Sequence, residues 1–406
     1  MLIRNFAFIA SMTISCVLPA PLFAICKYDT KNVEQMRACA VLGNQDAQRD
    51  YALWMTQTED INNITTANRT WLQNLADAGN PKAQYKLALS YTSDNLPDKS
   101  DATAALWMRK AAENGHSPAQ YKLSEWLKTG FGGQKDEEES TKWLKTSATL
   151  GNQDAQMALG DKYSGPTASE TDLAEAFQWY LQAANHKNPV AQMKVGLLYE
   201  NGKGVKADTK QAIAWYEKSA KNNHVPAMTK LGQLLADQAK TPEEDKIATA
   251  WLQKAANLKD PEAQYLYAGR IALGKGTQPN TADMLKWYQQ SADNHYPPAQ
   301  MLIGYLYETG NHLQKSQELA VTWYQKAAEQ GDATALFNLG LKYAKGEFVA
   351  QNYMMAYICF SLSAHRGNPK ANAMRDLAQA NMTPAQISIA NKIFSQWRVG
   401  QPISAP

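Results

Sequence analysis

Apolar and small residues recur along the chain with a period of 36 residues, and that period organises everything else. Ala47, Ala83, Ala119, Ala155, Ala191, Ala227, Ala263, Ala299, Ala335 and Ala371 are each 36 apart. With that alanine as offset zero, offset four is apolar (Leu87, Leu123, Leu159, Val195, Leu231, Ile303, Leu339). Offset five is small (Ala52, Ala88, Ser124, Gly160, Gly196, Gly232, Gly304, Gly340), and offset eight is often tyrosine. Offsets zero, four, five and eight share one face of a helix. A second helical stripe falls at offsets 21, 24, 25, 28 and 29, as in Ala212, Trp215, Tyr216, Ser219 and Ala220. Each unit therefore predicts two helices joined by a turn.

Punctuation supports the same division. Pro81, Pro118, Pro189, Pro226, Pro261, Pro298 and Pro369 stand one or two residues before the anchor alanine, where a first helical turn tolerates proline. Gly115, Gly151, Gly331 and Gly367 stand at offset 32, suited to a left-handed helix end. Tryptophan marks the register most plainly, from Trp71 through Trp107, Trp143, Trp179, Trp215, Trp251 and Trp287 to Trp323. Cys359 takes that position in the next unit, which predicts a buried, inert thiol. Nine units fit between residues 47 and 370. None can bury its face alone, so stacking of neighbours supplies the core. Residues 25–46 predict an N-terminal helical cap and 371–400 C-terminal capping helices, the last opened by a capping box at Thr383 to Gln386. Residues 401–406 are expected to be a disordered tail.

The stretch from Ala191 to Asn223 resembles the Sel-one-like repeat, a relative of the tetratricopeptide repeat. The residues that carry the likeness are Ala191, Val195, Gly196, Tyr199, Gly202 to Val205, Asp208, Ala212, Trp215, Tyr216, Ser219 and Ala220. The resemblance implies an all-α, right-handed α/α superhelical solenoid of about nine 36-residue helix-turn-helix repeats. It also implies a non-enzymatic scaffold that binds other proteins, with an inhibitor or immunity protein against an envelope-targeting hydrolase as the alternative. A cell-wall or carbohydrate hydrolase would need clustered carboxylates on one surface, which the sequence does not offer.

Residues 1–24 have the layout of a cleaved signal peptide: Arg4, an apolar run from Phe6 to Leu18, and a small-residue exit ending at Ala24. An exported protein follows, in the periplasm or secreted, with no stable membrane insertion after the signal is removed. In that oxidising setting Cys26 and Cys39 are expected to form a disulfide contributing about 3 kcal/mol.

Composition narrows the chemistry. Lys and Arg total 41 against 38 Asp and Glu, too even for a protein that binds nucleic acid through phosphate charge. His116, His186, His224, His295 and His365 fall at offsets 30 to 33, where a second helix ends; there a cation would satisfy free carbonyls. The acidic runs Asp136 to Glu139 and Glu243 to Asp245 suit helix starts rather than catalysis. No catalytic residue, metal site or cofactor is expected.

The first helices also predict a concave partner-binding groove. Offset two presents Arg49, Tyr85, Tyr121, Met157, Met193, Tyr265, Met301 and Phe337, with Thr229 between them. Offset three adds Lys86, Lys122, Lys194 and Lys230, interrupted by Ala158. Such a ladder would suit an acidic peptide segment with apolar anchors.

Overall fold

The computed structural model describes residues 26–58, 64–94, 96 and 98–403; the expected signal segment lies outside them. These residues form twenty-one α-helices and no strand. The first unit of the fold opens with α1 (Val33–Val41), α2 (Gln45–Met55) and α3 (Thr66–Asp77). It continues with α4 (Pro81–Ser90), α5 (Asp101–Glu113), α6 (Ser117–Thr129), α7 (Glu137–Thr149), α8 (Gln153–Tyr163) and α9 (Glu170–Asn185). Next come α10 (Pro189–Asn201), α11 (Thr209–Lys221), α12 (Val225–Gln238), α13 (Pro242–Asn257), α14 (Pro261–Leu273) and α15 (Thr281–Asp293). The last are α16 (Pro297–Thr309), α17 (Gln317–Glu329), α18 (Ala333–Lys345), α19 (Tyr353–His365), α20 (Ala371–Gln379) and α21 (Pro384–Gln396). Two compact units result, one ending at Ala183 and the other beginning at Ala184. Within each, neighbouring helices pack in sequence order as an α/α solenoid, α4 on α5 and α6 on α7 in the first, α10 on α11 and α12 on α13 in the second.

The junction between a second helix and the next first helix is built the same way throughout. Offset 32 takes a positive φ in every unit, at Gly115, Gly151, Gly331 and Gly367 but also at Lys187, Asn223, Lys259 and His295. The residue after it caps the next helix: Asn80, Asn152 and Asn188 each accept the backbone N–H of the anchor alanine. A glutamine at offset one then reaches back across the turn. Gln84, Gln120 and Gln156 donate to the carbonyls of Ala76, Ala112 and Ala148 at 2.9, 3.0 and 3.1 Å. Gln192, Gln264 and Gln300 do the same in the second unit, to Ala184, Ala256 and Ala292. Each adds a second donor to a C-terminal carbonyl that already accepts the backbone N–H at offset 32, as Ala112 does from Gly115 at 3.0 Å, so the turn is bonded as well as packed.

The anchor alanines, from Ala47 to Ala371, are fully buried. Offset five must be small because offset 25 crosses it. A Cβ added at Gly160 would come within 2.3 Å of the Tyr180 ring, and one at Gly196 within 2.6 Å of Tyr216. The tryptophans are less enclosed than a buried slot implies. Trp107, Trp215 and Trp323 are buried, while Trp71, Trp143, Trp179, Trp251 and Trp287 are half-buried. A lysine one turn on covers several of the rings, Lys110 on Trp107 and Lys218 on Trp215 at 3.9 and 3.5 Å.

The ends follow expectation with one correction. Cys26 and Cys39 are joined, their Cα atoms 5.5 Å apart. Cys359 is fully buried, and burial pushes its thiol up to about 12, which suits packing rather than reactivity. Thr383 and Gln386 form the reciprocal capping box of α21. Gln401 to Ile403, however, are fastened rather than disordered. The Trp397 indole donates to the Gln401 carbonyl at 3.0 Å, and Ile403 packs on the C-terminal core, since the buried Trp397 needs both cover and an acceptor. Residues 404–406 lie outside the described set.

The glutamine bridge is completed on its other side in some repeats and not in others. Asn114 donates to Gln84 Oε1 at 2.8 Å, Asn222 to Gln192 Oε1 at 3.0 Å and Asn294 to Gln264 Oε1 at 2.9 Å. The residue at that spacing from Gln120 is Leu150, and Gln120 Oε1 is buried without a donor. Leu150 is 59% exposed, so little packing is lost by changing it. Leu150→Asn is therefore expected to stabilise the protein by about 1 kcal/mol in urea unfolding. An unchanged or lower midpoint would show that the missing donor costs nothing.

Candidate protein-interaction face

In four repeats offset two of a first helix meets the N-cap residue of the next first helix, and the two change together. Tyr85 lies 4.9 Å from the His116 ring, Met193 Sδ 3.2 Å from His224 Nε2, and Tyr265 5.5 Å from Tyr296. Thr229, 1% exposed, donates to Asp260 at 3.0 Å. Tyr265 is also 5.3 Å from Tyr288, and Phe337 lies 5.6 Å from Phe360. The aromatic and methionine positions are thus half-buried, with one edge spent on the neighbouring repeat. Tyr121, Met157, Met193, Met301 and Phe337 keep the other edge accessible. Arg49 is the most exposed of the set and is paired with Asp46 and Asp50 at 3.3 and 3.4 Å.

The basic ladder is largely consumed within the chain. Lys86 is only 6% exposed, which corrects the expectation that it faces a partner: its aliphatic stem is part of the packing of α4. Lys122 pairs with Glu125 at 3.0 Å, and Lys230 with Glu262 at 3.4 Å. Lys194 is half-buried. Surface pairs of this kind contribute little to stability, but they cancel the positive field that an acidic partner would need.

Two of the five histidines are also corrected. His116 and His224 are N-cap residues of α6 and α12, not cations at a helix C-terminus. His116 Nδ1 accepts the Ala119 N–H at 3.3 Å, which requires that nitrogen unprotonated. Burial, helped by Lys82, pushes its pKa down to about 4. His295 takes the left-handed position described above. The acidic runs lie where helix dipoles favour them, with Asp136 capping α7 and Glu243 to Asp245 in the first turn of α13. Among the described residues no group of His, Cys, Asp and Glu could hold a metal ion, and no helix is long and apolar enough to cross a membrane.

One concavity stands out in the first unit, a cleft of about 670 Å³ between α6, α7 and α8. Leu144 and Ala158 make its apolar lining. Glu125, Glu137 and Asp161 stand on its rim with Lys128 and Lys162. Sequence periodicity did not predict it, because it arises where two repeats depart from the pattern. The signal was present at offsets 25 and three, where Leu144 contrasts with Tyr180 and Tyr216 of the next two units and Ala158 with Lys122 and Lys194 on either side.

Comparison with known proteins places the repeats. The Sel1 repeat family matches eight consecutive stretches: 81–116, 117–152, 153–188, 189–224, 225–260, 261–296, 297–332 and 333–368. The three helices before residue 81, α1 to α3, fall outside these matches. No curated protein matches the chain by sequence. Among solved structures it is similar to a protective antigen of uropathogenic Escherichia coli strains displaying an SLR fold. The two are 24% identical, over 90% of this chain and 94% of that one, with a TM-score of 0.39. A Sel1 repeat protein from Oxalobacter formigenes is 23% identical, over 88% of this chain and 92% of that one, with a TM-score of 0.47. An immunity protein from Pseudomonas aeruginosa is 19% identical, over 53% and 81%, with a TM-score of 0.39.

His116 generates a pH prediction. Its folded pKa lies below the unfolded value of 6.5, so the unfolded chain binds the proton more readily. The stability it contributes is present above pH 6.5 and is lost as the pH falls toward 4. His116→Asn places at this cap the residue that Asn80 and Asn152 already use. The variant is expected to lose less Tm than the parent between pH 6.5 and 4, read by thermal melts; parallel curves would refute the cap's role.

Proposed function

The chain belongs to the Sel1 repeat family, and on that premise we propose that it is a non-enzymatic scaffold that binds another protein along the first helices of its repeats. The observation that carries this reading is the repeat array itself. Eight consecutive matched repeats present the same offset-two face again and again, seven of them with a half-buried aromatic or methionine edge and one with the buried Thr229. Partly exposed Tyr side chains supply contact area at low entropic cost, and the flexible Met side chains adapt to the surface they meet. The internal pairing of Lys122 and Lys230 shifts weight from charge to these edges as anchors.

A photo-crosslinking amino acid at Met157 or Met301, tested in envelope preparations, is expected to trap one discrete partner. The same probe at Leu106 or Leu319, exposed on second helices, is expected to trap none. Equal crosslinking from both faces would sink the assignment of the binding face. A trapped hydrolase whose turnover falls on binding would instead make the chain an inhibitor.

The reading includes export to the periplasm or beyond. The Cys26–Cys39 disulfide supports it, since such bonds persist in oxidising compartments. Mass spectrometry of the protein from a periplasmic fraction is expected to find an N-terminus near Ile25. An intact Met1 in the cytoplasmic fraction would contradict export.

A further inference from the structure

The cleft between α6, α7 and α8 is best understood by what fills the same place elsewhere in the chain. At offset 25, Tyr180, Tyr216 and Tyr324 each lie across a glycine at offset five, namely Gly160, Gly196 and Gly304. Each phenol then donates to a carboxylate on the first helix. Tyr180 donates to Asp161 at 2.6 Å, Tyr216 to Glu200, and Tyr324 to Glu308 at 2.6 Å. In the repeat anchored at Ala119 the glycine is Ser124, the tyrosine is Leu144, and the carboxylate at the offset of Asp161 is Glu125. The acceptor has been kept while the second-helix phenol has been removed. One repeat on, Ala158 removes the lysine stem that offset three carries in neighbouring repeats. The two subtractions meet at one place and leave the cleft of about 670 Å³.

Charge decides what the cleft accepts. Its rim carries Glu125, Glu137 and Asp161 against Lys128 and Lys162, which disfavours an acidic anchor. A lysine or arginine anchor finds its acids already served, Glu125 by Lys122 at 3.0 Å and Glu137 by Lys135 at 2.7 Å. Glu125 also accepts from the Tyr121 hydroxyl at 3.3 Å, a long bond along its own helix. A carboxylate has lone pairs to spare for one neutral donor beyond these. A purely apolar ring would cover Glu125 and desolvate it with nothing in return.

We propose that this cleft receives a tyrosine side chain from a protein partner, its ring over Leu144 and Ala158 and its hydroxyl donating to Glu125. The partner thereby supplies from outside the knob that Tyr180, Tyr216 and Tyr324 supply from within. This deepens the reading of the chain as a scaffold and rests on it.

The test uses p-cresol as the tyrosine side chain and toluene as the same ring without its donor, on the full-length mature protein with methyl-labelled Leu and Ala. Saturable shifts of the Leu144 and Ala158 methyl resonances are expected with p-cresol, at an affinity about fivefold or more above that of toluene. The double variant S124G/L144Y rebuilds the internal pair of the neighbouring repeat; it is expected to abolish the shifts with Tm retained or raised. Should that variant unfold, Glu125→Met alone is expected to remove the preference for p-cresol over toluene while toluene still binds. No saturable shift, equal affinity for the two rings, or undiminished p-cresol binding in a folded S124G/L144Y protein would each overturn the proposal. No partner enters this measurement, so the two readings fail separately. Crosslinking through Met157 with no p-cresol binding overturns the cleft and leaves the scaffold. Intact p-cresol binding without any crosslinked partner overturns the scaffold and, with it, the partner's tyrosine.

Discussion

Every second helix in this molecule ends with carbonyls that its own helix cannot satisfy, and the chain must then turn at once into another helix. N–H groups of the turn take two of these carbonyls, Gly115 donating to Ala112 and His116 to Ala111 at 3.0 Å, and the glutamine at offset one ties the next helix to the first of the two. Gln120, at 3% exposed, takes up the Ala112 carbonyl at 3.0 Å from a position eight residues further on. That reach works only if the intervening turn is held to one shape. The positive φ at Gly115 and the N-cap at His116 hold it, and the anchor Ala119 sits close enough for the side chain to span the gap. The 36-residue period is the length at which this closure repeats. Where Met228 replaces the glutamine, the residue 30 positions on is Leu258, and the polar bridge is exchanged for an apolar contact position on both sides. Replacing both partners avoids the buried, unpaired atom that replacing one leaves at Gln120.

With the turns fixed, the remaining freedom lies in how the paired helices approach one another, and one pair of offsets sets it. A tyrosine at offset 25 crosses a glycine at offset five in three repeats, as Tyr216 does at Gly196, while Tyr288 is accompanied by Ala268. Leu72 and Met108 accompany Ala52 and Ala88, the shorter chains leaving room for a Cβ. Leucine and phenylalanine cross the glycine as well, Leu252 at Gly232 and Phe360 at Gly340. In the repeat anchored at Ala119 the smaller Leu144 stands at offset 25, with Ala158 one repeat on, and a cleft opens between α6, α7 and α8. Repetition makes a scaffold, and exceptions to it make sites.

Periodicity alone made the helices, their order and the buried alanines legible, because each is a local or nearest-neighbour consequence of residue type; the disulfide was read instead from the layout of the first 24 residues. The glutamine at offset one was equally periodic, from Gln48 to Gln300. It went unread because glutamine counts as a surface residue on any hydropathy scale, and only its reach to Ala76 or Ala112 shows otherwise. His116 and His224 were placed one residue out of role, at a helix end rather than the next helix start, since the turn between them is three residues long. Lys86 is the harder case. Offset three reads as solvated in a projection of one helix, and its burial depends on what the adjoining helices bring beside it.

The fate of the lysines bears on how a face of this kind recognises anything. A ladder of unpaired ammoniums would attract any acidic chain, and with little discrimination. Here Lys122 and Lys230 are held by Glu125 and Glu262, and Lys342 is buried between Glu308 and Glu347 at 2.5 and 3.0 Å. Displacing such an acid costs an incoming partner the pair it breaks, so attraction by charge alone is muted. On the proposed scaffold reading, shape then carries the discrimination, through edges such as Tyr85, Met193 and Tyr265 that the neighbouring N-cap fixes on one side. Tyr85 on His116 and Tyr265 on Tyr296 cannot swing away to accommodate a poor fit. A partner must match the spacing of the repeats, and the same closure that sets the 36-residue period sets that spacing too.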